Sequence, residues 1–138
     1  MKKITNVMIE MYNLKNIDMM GYVFNKSNAS YHHLIIPRRL NGPESIENGA
    51  ILNRKTSHPY LHIVEGMDLD MFVAITQEII EEKALGRLDR DCLAKIDCIL
   101  DCFEKEYSGY RTSKGKVLIK PEFVYERKMN KGEYWFLI

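Results

Sequence analysis

The sequence of 138 residues contains little cysteine, and the spacing of that cysteine suits neither of its common frameworks. Cys92, Cys98 and Cys102 are an odd number gathered in one stretch, and none of them belongs to a C-x-x-C pair. This arrangement indicates neither a zinc ribbon nor a disulfide framework. We expect the three cysteines to be small buried residues on a helix.

The sequence also lacks a long apolar run. No segment approaches the roughly 20 apolar residues that span a bilayer. Near the N-terminus, Asn6, Glu10 and Asn13 interrupt the stretch in which the core of a signal peptide would lie. The sequence therefore predicts a cytoplasmic protein that has no membrane partner.

An excess of charge of one sign is absent as well, because 20 Lys and Arg residues face 19 Asp and Glu residues and leave a net charge of +1. This balance argues against a surface that is basic throughout and built for nucleic acid. The charge is nevertheless unevenly distributed, with +4 over residues 1–64, −7 over 65–106 and +4 over 107–138. We expect the middle block to face away from a polyanion, whereas the outer blocks can contact one.

What the sequence does contain is typical of a single folded domain over residues 1–138. Hydrophobic residues make up 46% of the chain and charged residues 28%, a composition that excludes a disordered protein. Periodicity and turn residues divide the chain into a core (20–66), supporting helices (67–107) and a short β-rich tail (108–138). The predicted fold class is therefore α+β.

The predicted core begins with strands. Residues 1–20 fit no single element, residues 20–24 predict a short strand, and residues 31–36 predict a second strand that a proline ends. Asn41-Gly42-Pro43 is strong turn chemistry, and the apolar run 50–52 predicts a return strand. The last two strands would form a hairpin with a long connection.

Helices follow the predicted hairpin. Ser57 is the expected N-cap of a helix that ends at Gly66, and Asp68 is the expected cap of the next. The apolar stripe over 88–107 predicts a further helix. The tail is rich in β-formers, with a predicted hairpin turn at Asn130-Lys131-Gly132.

All four histidines lie within the predicted core. His58 and His62 are four residues apart on the predicted helix, so they share a face and both can reach one metal ion. His32 and His33 are neighbours on the predicted strand and point to opposite faces, so they cannot both be ordinary ligands of that ion. Asn48 lies between the two pairs, just before the return strand.

The order of these residues carries a family resemblance. The pattern H-H, a glycine-containing loop, an asparagine and then H-x-x-x-H resembles the ββα-metal core of HNH (His-Me finger) endonucleases. It is most similar to the colicin-type branch. Here the pattern reads YHHLIIPRRLNGPESIENGAILNRKTSHPYLH over residues 31–62.

The resemblance implies a role for each matching residue. His32, His58 and His62 would hold one divalent ion. His33 would be the general base that takes a proton from the attacking water. Asn48 would orient the loop and His33 through its side-chain amide. The implied activity is hydrolysis of phosphodiester bonds in DNA.

These residue types suit that chemistry. A metal ion can neutralise the phosphoryl oxygen and the leaving 3′ oxygen, and an imidazole can accept a proton near neutral pH. Three neutral imidazoles suit Zn²⁺ or Ni²⁺ better than Mg²⁺. The sequence does not decide which of Zn, Ni, Mn and Mg is bound. Arg38, Arg39, Arg54 and Lys55 flank the motif as candidate nucleic-acid contacts, or as a solvated loop surface.

The chain also departs from the family pattern. The two cysteine pairs that bind a structural zinc in many HNH proteins are absent, with Asn53 and Thr56 at places where cysteines often fall. Pro37 comes one residue late, and Gly49 replaces a leucine. The missing cysteines imply that the helices after residue 67 support the core instead.

Two alternatives to an active nuclease remain open at this point. One is a catalytically inactive HNH-like module that binds nucleic acid or protein. The other is a fold in which a metal ion has only a structural role. The near-neutral charge and the lack of a recognisable sequence-reading module suggest weak specificity, or a protein partner that targets the enzyme to its DNA. A phage or mobile-element context is compatible with so compact a nuclease.

Overall fold

The computed structural model describes residues 3–133. This part of the chain contains five α-helices and a two-stranded antiparallel sheet, which confirms the mixed α+β class. In chain order the elements are α1 (Ile4–Met11), β1 (Ala29–His33), β2 (Gly49–Asn53), α2 (Ser57–Met67), α3 (Leu69–Leu85), α4 (Arg90–Tyr107) and α5 (Pro121–Met129).

The predicted hairpin is present, but its first strand is displaced. β1 pairs with β2 so that His32 lies opposite Ala50 and His33 opposite Gly49. The strand predicted over 31–36 ends at His33, because the backbone amides of Ile35 and Ile36 donate to the side chain of Asn48 rather than to a strand partner. The prediction of the return strand is confirmed, and every residue of β2 is buried.

The segment before the hairpin contains a helix and one isolated bridge. The ambiguous residues 1–20 include α1, whose Met8 and Ile9 are buried. The predicted strand over 20–24 is wrong, since only a single β-bridge between Ile17 and Val23 forms there. The chain turns too tightly at this point for a ladder.

That turn is held by Asp18, whose side chain is fully buried. Its carboxylate accepts hydrogen bonds from the amides of Met20 (2.9 Å), Tyr22 (3.0 Å) and Asn53 (2.8 Å) and from the hydroxyl of Ser57. Burial raises the pKa of Asp18 to about 6, although the hydrogen bonds that the carboxylate accepts lower this pKa in part. Asp18 therefore ties the N-terminal segment to the end of β2 and the start of α2, with no cysteine involved.

The start of α2 differs by one residue from the prediction. Thr56 occupies the N-cap position and Ser57 is the first helical residue, with its hydroxyl directed to Asp18 instead of capping. Gly66 does not end the helix, which runs to Met67. The expected cap of α3 is confirmed, because Asp68 accepts from the amide of Met71 at 3.1 Å.

The expectation of three buried cysteines is wrong for two of them. All three lie on α4, which begins after its cap Asp89. Cys92 is buried, whereas Cys98 and Cys102 are exposed. The reason is that the face of α4 turned to the core is taken by larger apolar side chains, namely Leu93, Ile96, Leu100 and Phe103.

The prediction of a β-rich tail is wrong over residues 121–129, and the described residues before them contain only an isolated bridge between Arg111 and Val117. Pro121 begins helix α5, in whose first turn a missing amide hydrogen costs nothing. Phe123 and Arg127, four residues apart, are both buried and fix α5 against the rest of the fold. The residues predicted to form a hairpin turn form other structures. Asn130 is the C-cap of α5, and the 3₁₀ turn Lys131–Glu133 follows it. Residues 134–138 of the predicted tail lie outside the described residues.

The helices after β2 pack in sequence, α2 on β2, α3 on α2 and α4 on α3. Their buried side chains form one apolar cluster with those of α1 and the hairpin. Over residues 3–133, none of the helices has both the length and the apolar character that crossing a membrane requires.

Candidate metal centre

Three of the four histidines meet between the hairpin and the helix that follows it. His32 reaches the site from β1, and His58 and His62 from successive turns of α2. The ring centroid of His32 lies 4.8 Å from that of His58 and 4.4 Å from that of His62. Each histidine has one ring nitrogen that lies within 4.8 Å of a ring nitrogen of each of the other two. The two Nε2 atoms of His58 and His62 are 3.1 Å apart, close to the roughly 3.3 Å expected between two tetrahedral ligands of a zinc ion.

His32 is the part of this cluster that most needs a further partner. Its side chain is only 1% exposed, and neither ring nitrogen has a hydrogen-bond partner among residues 3–133. A buried polar atom without a partner costs about 1–3 kcal/mol. Burial, together with repulsion from His62 and His58, lowers the pKa of His32 to about 3. A neutral, unpartnered imidazole of this kind fits a metal ligand.

His58 is oriented by a residue that the motif does not include. The hydroxyl oxygen of Ser30 lies 2.6 Å from Nδ1 of His58 and 3.2 Å from the carbonyl oxygen of Leu52. In the tautomer that carries its proton on Nδ1, His58 donates to this hydroxyl, the hydroxyl donates to the carbonyl, and the lone pair of His58 is on Nε2, which faces His62. Burial, with repulsion from His62, lowers the pKa of His58 to about 4.

The third histidine is the most exposed. Nδ1 of His62 lies 3.6 Å from Oε1 of Glu65, one turn further along α2. A carboxylate beside the second ring nitrogen is the usual support of a metal-binding histidine, and Glu65 is a close neighbour of His62 at a distance longer than a hydrogen bond. Ser30 and Glu65 were not among the predicted site residues. Two sequence signals could have indicated them. Ser30 is two residues before His32 and shares its face of the strand, and Glu65 is three residues after His62 and shares its face of the helix.

His33 approaches the same region from the other face of β1. Its ring is nearly perpendicular to that of Tyr31, with centroids 5.0 Å apart and planes at 86°. A cavity of about 300 Å³ is lined by His33 together with His58 and His62. The predicted general base and two of the predicted ligands are thus on one cavity, whose other lining residues are Tyr31, Pro37, Arg38, Arg39, Glu44 and Glu65.

Asn48 holds the long connection between the strands. Its side-chain oxygen accepts from the amides of Ile35 (3.1 Å) and Ile36 (2.8 Å). Its amide nitrogen donates to the carbonyls of Ile36 (2.9 Å) and Pro43 (3.0 Å). Asn48 is therefore placed to fix the loop, as the resemblance implies. Its link to His33 is indirect, through the backbone bond from the amide of Leu34 to the carbonyl of Asn48, 2.7 Å long.

The four predicted basic contacts fall into two groups. Arg38 and Arg39 lie in a 3₁₀ turn at the rim of the cavity and are exposed. Arg54 and Lys55 are exposed in the turn between β2 and α2 and are not part of the cavity lining. The first group is therefore the better placed to hold a substrate in that cavity.

Lys83 of α3 supports the site from behind and was missed. Its ammonium group donates to the carbonyl oxygens of Ile46, Glu47 (3.1 Å) and Gly49 (2.7 Å), on both sides of Asn48. More than thirty residues separate Lys83 from these partners along the chain. No local pattern could have indicated the contact.

Comparisons with models of protein families, with curated proteins and with solved structures find no match to this chain. The chemistry of the site is therefore inferred from its own residues. These are three imidazoles around one position, a fourth imidazole across the cavity and arginines at its rim.

Proposed function

We propose that this chain is a metal-dependent HNH-type endonuclease that hydrolyses phosphodiester bonds in DNA. In this proposal β1, β2 and α2 form the ββα-metal core. The observation that carries it is the convergence of His32, His58 and His62, in which the buried His32 has no hydrogen-bond partner among the described residues. The position of His33 on the same cavity supports the catalytic part of the proposal.

His32, His58 and His62 would hold one divalent ion. Their three imidazoles favour Zn²⁺ or Ni²⁺ over Mg²⁺, with Mn²⁺ between, because nitrogen ligands suit the later transition metals. When bound, the ion supplies charge neutralisation at the phosphoryl oxygen and at the departing 3′ oxygen. Ser30 and Glu65 would keep the rings of His58 and His62 in the orientation that binding requires.

His33 would act as the general base. It takes one proton from a water molecule as that oxygen forms a bond to phosphorus. The bond from phosphorus to the 3′ oxygen breaks, and the 3′ oxygen takes up a proton from solvent water to give a 3′-hydroxyl and a 5′-phosphate. General base catalysis of this kind contributes about 10²–10⁴-fold to the rate.

Arg38 and Arg39 would bind the phosphates on either side of the scissile bond, because they lie on the rim of the cavity that His33 lines. The loop that carries them is held by the side chain of Asn48. Most of the acidic block over 65–106 lies on α3 and α4, in keeping with a substrate that approaches the N-terminal part of the chain, whereas Glu65 at its start is on α2 and lines the cavity.

The first test is conversion of supercoiled plasmid to nicked or linear DNA in Zn²⁺, Ni²⁺, Mn²⁺, Mg²⁺ or EDTA. We expect wild type to cleave with metal and not in EDTA. His33→Ala should lose about 10²–10⁴-fold in rate and still bind metal, whereas His62→Ala should lose both cleavage and metal affinity. The affinity of each variant for the metal ion is measured by calorimetry on the same protein samples.

The contrary outcomes are equally definite. A folded wild-type protein that cleaves with none of the four ions contradicts the nuclease. If that protein still binds DNA in the presence of metal, the chain is the inactive binding module instead. Cleavage that persists unchanged in His33→Ala contradicts the assignment of the base.

A further inference from the structure

We propose that Tyr31 is a positioning residue for His33, and that glycine is needed at position 49 because the ring of Tyr31 occupies the space of a side chain there. The inference rests on the proposed function of His33 as general base. It adds two residues that the H-H…N…H-x-x-x-H pattern does not include.

The first observation is the contact between the two rings. Tyr31 and His33 are two residues apart on β1, so they share the strand face opposite that of His32. Their centroids are 5.0 Å apart and their planes are nearly perpendicular, at 86°. An edge-to-face aromatic pair in this range is favourable and biases the rotamer of the smaller ring.

The second observation is the space that Gly49 leaves. A β-carbon at position 49 would lie 2.0 Å from Cε2 of Tyr31 and 2.2 Å from its Cζ. Gly49 is not among the glycines with positive φ, so its backbone does not require glycine. Since Gly49 lies opposite His33 in the ladder, the absence of its side chain lets the Tyr31 ring lie across β2 beside His33.

The third observation is the anchor at the far end of the ring. The hydroxyl of Tyr31 donates to the carbonyl of Ser45 over 2.6 Å, and the carbonyl of Pro43 lies 3.2 Å away. Both acceptors belong to the loop that Asn48 fixes. The Tyr31 ring is thus anchored by the loop at its hydroxyl, fits into the space that Gly49 leaves, and contacts the ring of His33.

Catalysis by a general base requires this restraint. His33 must lie within hydrogen-bond reach of the attacking water, and a misplacement of about 1 Å can cost about 10²-fold in rate. The candidate ligands of the metal project from the other face of β1 and from α2. Loss of the Tyr31 ring should therefore lower kcat and leave KM and metal affinity almost unchanged.

The test compares Tyr31→Leu, Tyr31→Phe and Gly49→Ala with Tyr125→Leu, a control at an exposed tyrosine on α5. We expect kcat to fall about 10–100-fold in Tyr31→Leu and in Gly49→Ala, with KM and metal affinity within about twofold of wild type. Tyr31→Phe keeps the ring and should stay within about threefold of wild type. Gly49→Ala displaces the ring without removing it and tests the same contact if Tyr31→Leu does not fold.

A double-mutant cycle separates positioning from general stability. If Tyr31 acts through His33, adding Tyr31→Leu to His33→Ala should cause no further loss of the residual cleavage. Histidine-selective NMR supplies a readout that needs no activity, because the nearby perpendicular tyrosine ring shifts the ring protons of His33. This shift should disappear in Tyr31→Leu and Gly49→Ala but not in Tyr31→Phe.

Each result has one meaning. Wild-type cleavage together with unchanged kcat in Tyr31→Leu or Gly49→Ala overturns the positioning role alone. An additive loss in the double mutant overturns it too, since Tyr31 would then act elsewhere. If wild type cleaves with none of the ions, the proposed function fails and the role of Tyr31 in catalysis fails with it.

Discussion

The hydroxyl of Tyr60 donates to Oε2 of Glu104 over 2.7 Å, and this bond joins the middle of α2 to α4. Tyr60 lies between the two histidines that α2 contributes to the candidate metal centre. Oε1 of the same carboxylate accepts from the buried guanidinium of Arg127 on α5 at 2.5 Å. The helices after residue 67 therefore contact the histidine-bearing helix directly, in a chain that lacks zinc-binding cysteine pairs.

We expect Tyr60→Phe to lower the free energy of unfolding by about 1–2 kcal/mol, because it removes a hydrogen bond to a charged, partly buried group. Urea denaturation in EDTA measures this loss. Tyr125→Phe is the matched control, since Tyr125 is 60% exposed on α5. Equal midpoints for the two variants would show that the α2–α4 bond does not stabilise the fold.

His32→Leu should stabilise the metal-free protein by about 1–3 kcal/mol and abolish tight binding of divalent ions. The reason is that the buried imidazole has two nitrogens without partners among the described residues, a cost that leucine removes. Urea denaturation in EDTA and in Zn²⁺ measures both effects. If the variant is less stable than wild type in EDTA, His32 is an ordinary packing residue.

The same histidines predict how acid affects the metal-free protein. Folding lowers the pKa of His32 to about 3 and that of His58 to about 4, from an ordinary value of 6.5. Between these values and pH 6.5 the unfolded chain binds more protons than the folded one, so stability is full above pH 6.5 and falls as the pH falls. From pH 7 to pH 5 His32 should contribute a loss of about 2 kcal/mol. The contribution of His58 should be smaller, because His58 is only partly buried and solvent screens its charge.

Comparison of wild type with His32→Leu isolates this contribution. The raised pKa of Asp18 acts in the opposite direction, but it is common to both proteins and cancels in the difference. Urea denaturation in EDTA at pH 7 and pH 5 should show a smaller acid loss in the variant, by about 2 kcal/mol. Identical losses would mean that His32 is not buried neutral in solution.

The parts of the site that could be predicted from the sequence are those set by local spacing. Strand alternation separates His32 from His33, and helical spacing brings His58 and His62 together. Lys83 could not be found in this way, because its contacts with the carbonyls on either side of Asn48 depend on how α3 packs against the rest of the fold.

The fold shows the same division. The helix cap at Asp68 follows from local chemistry and is confirmed. The β-formers after residue 116 suggested strands, but Pro121 at the first turn and the i, i+4 pair Phe123 and Arg127 favour a helix that packs on its neighbours. The end of β1 was misplaced because a distant side chain, Asn48, takes the amides that would have continued the ladder.

Lys83→Met should lower the free energy of unfolding by about 2 kcal/mol and reduce cleavage, because it leaves three carbonyls around Asn48 without their donor. Lys95→Met is the control, since Lys95 is exposed and lies 4.0 Å from Glu78, a pair worth little. Urea denaturation and plasmid cleavage are measured on both. A loss of the same size in the two variants would remove Lys83 from the support of the site.

The salt dependence of DNA binding should distinguish the two groups of basic residues. Each phosphate contact contributes about 0.9 to the slope of log K against log salt. Arg38→Gln should therefore lower that slope by nearly one, because Arg38 lies on the rim of the cavity, whereas Arg54→Gln should change it less. Fluorescence anisotropy of a labelled duplex measures both in the His33→Ala background with metal, where cleavage is too slow to consume the duplex during the titration. Equal slopes for Arg38→Gln and its parent would make Arg38 a solvated loop residue.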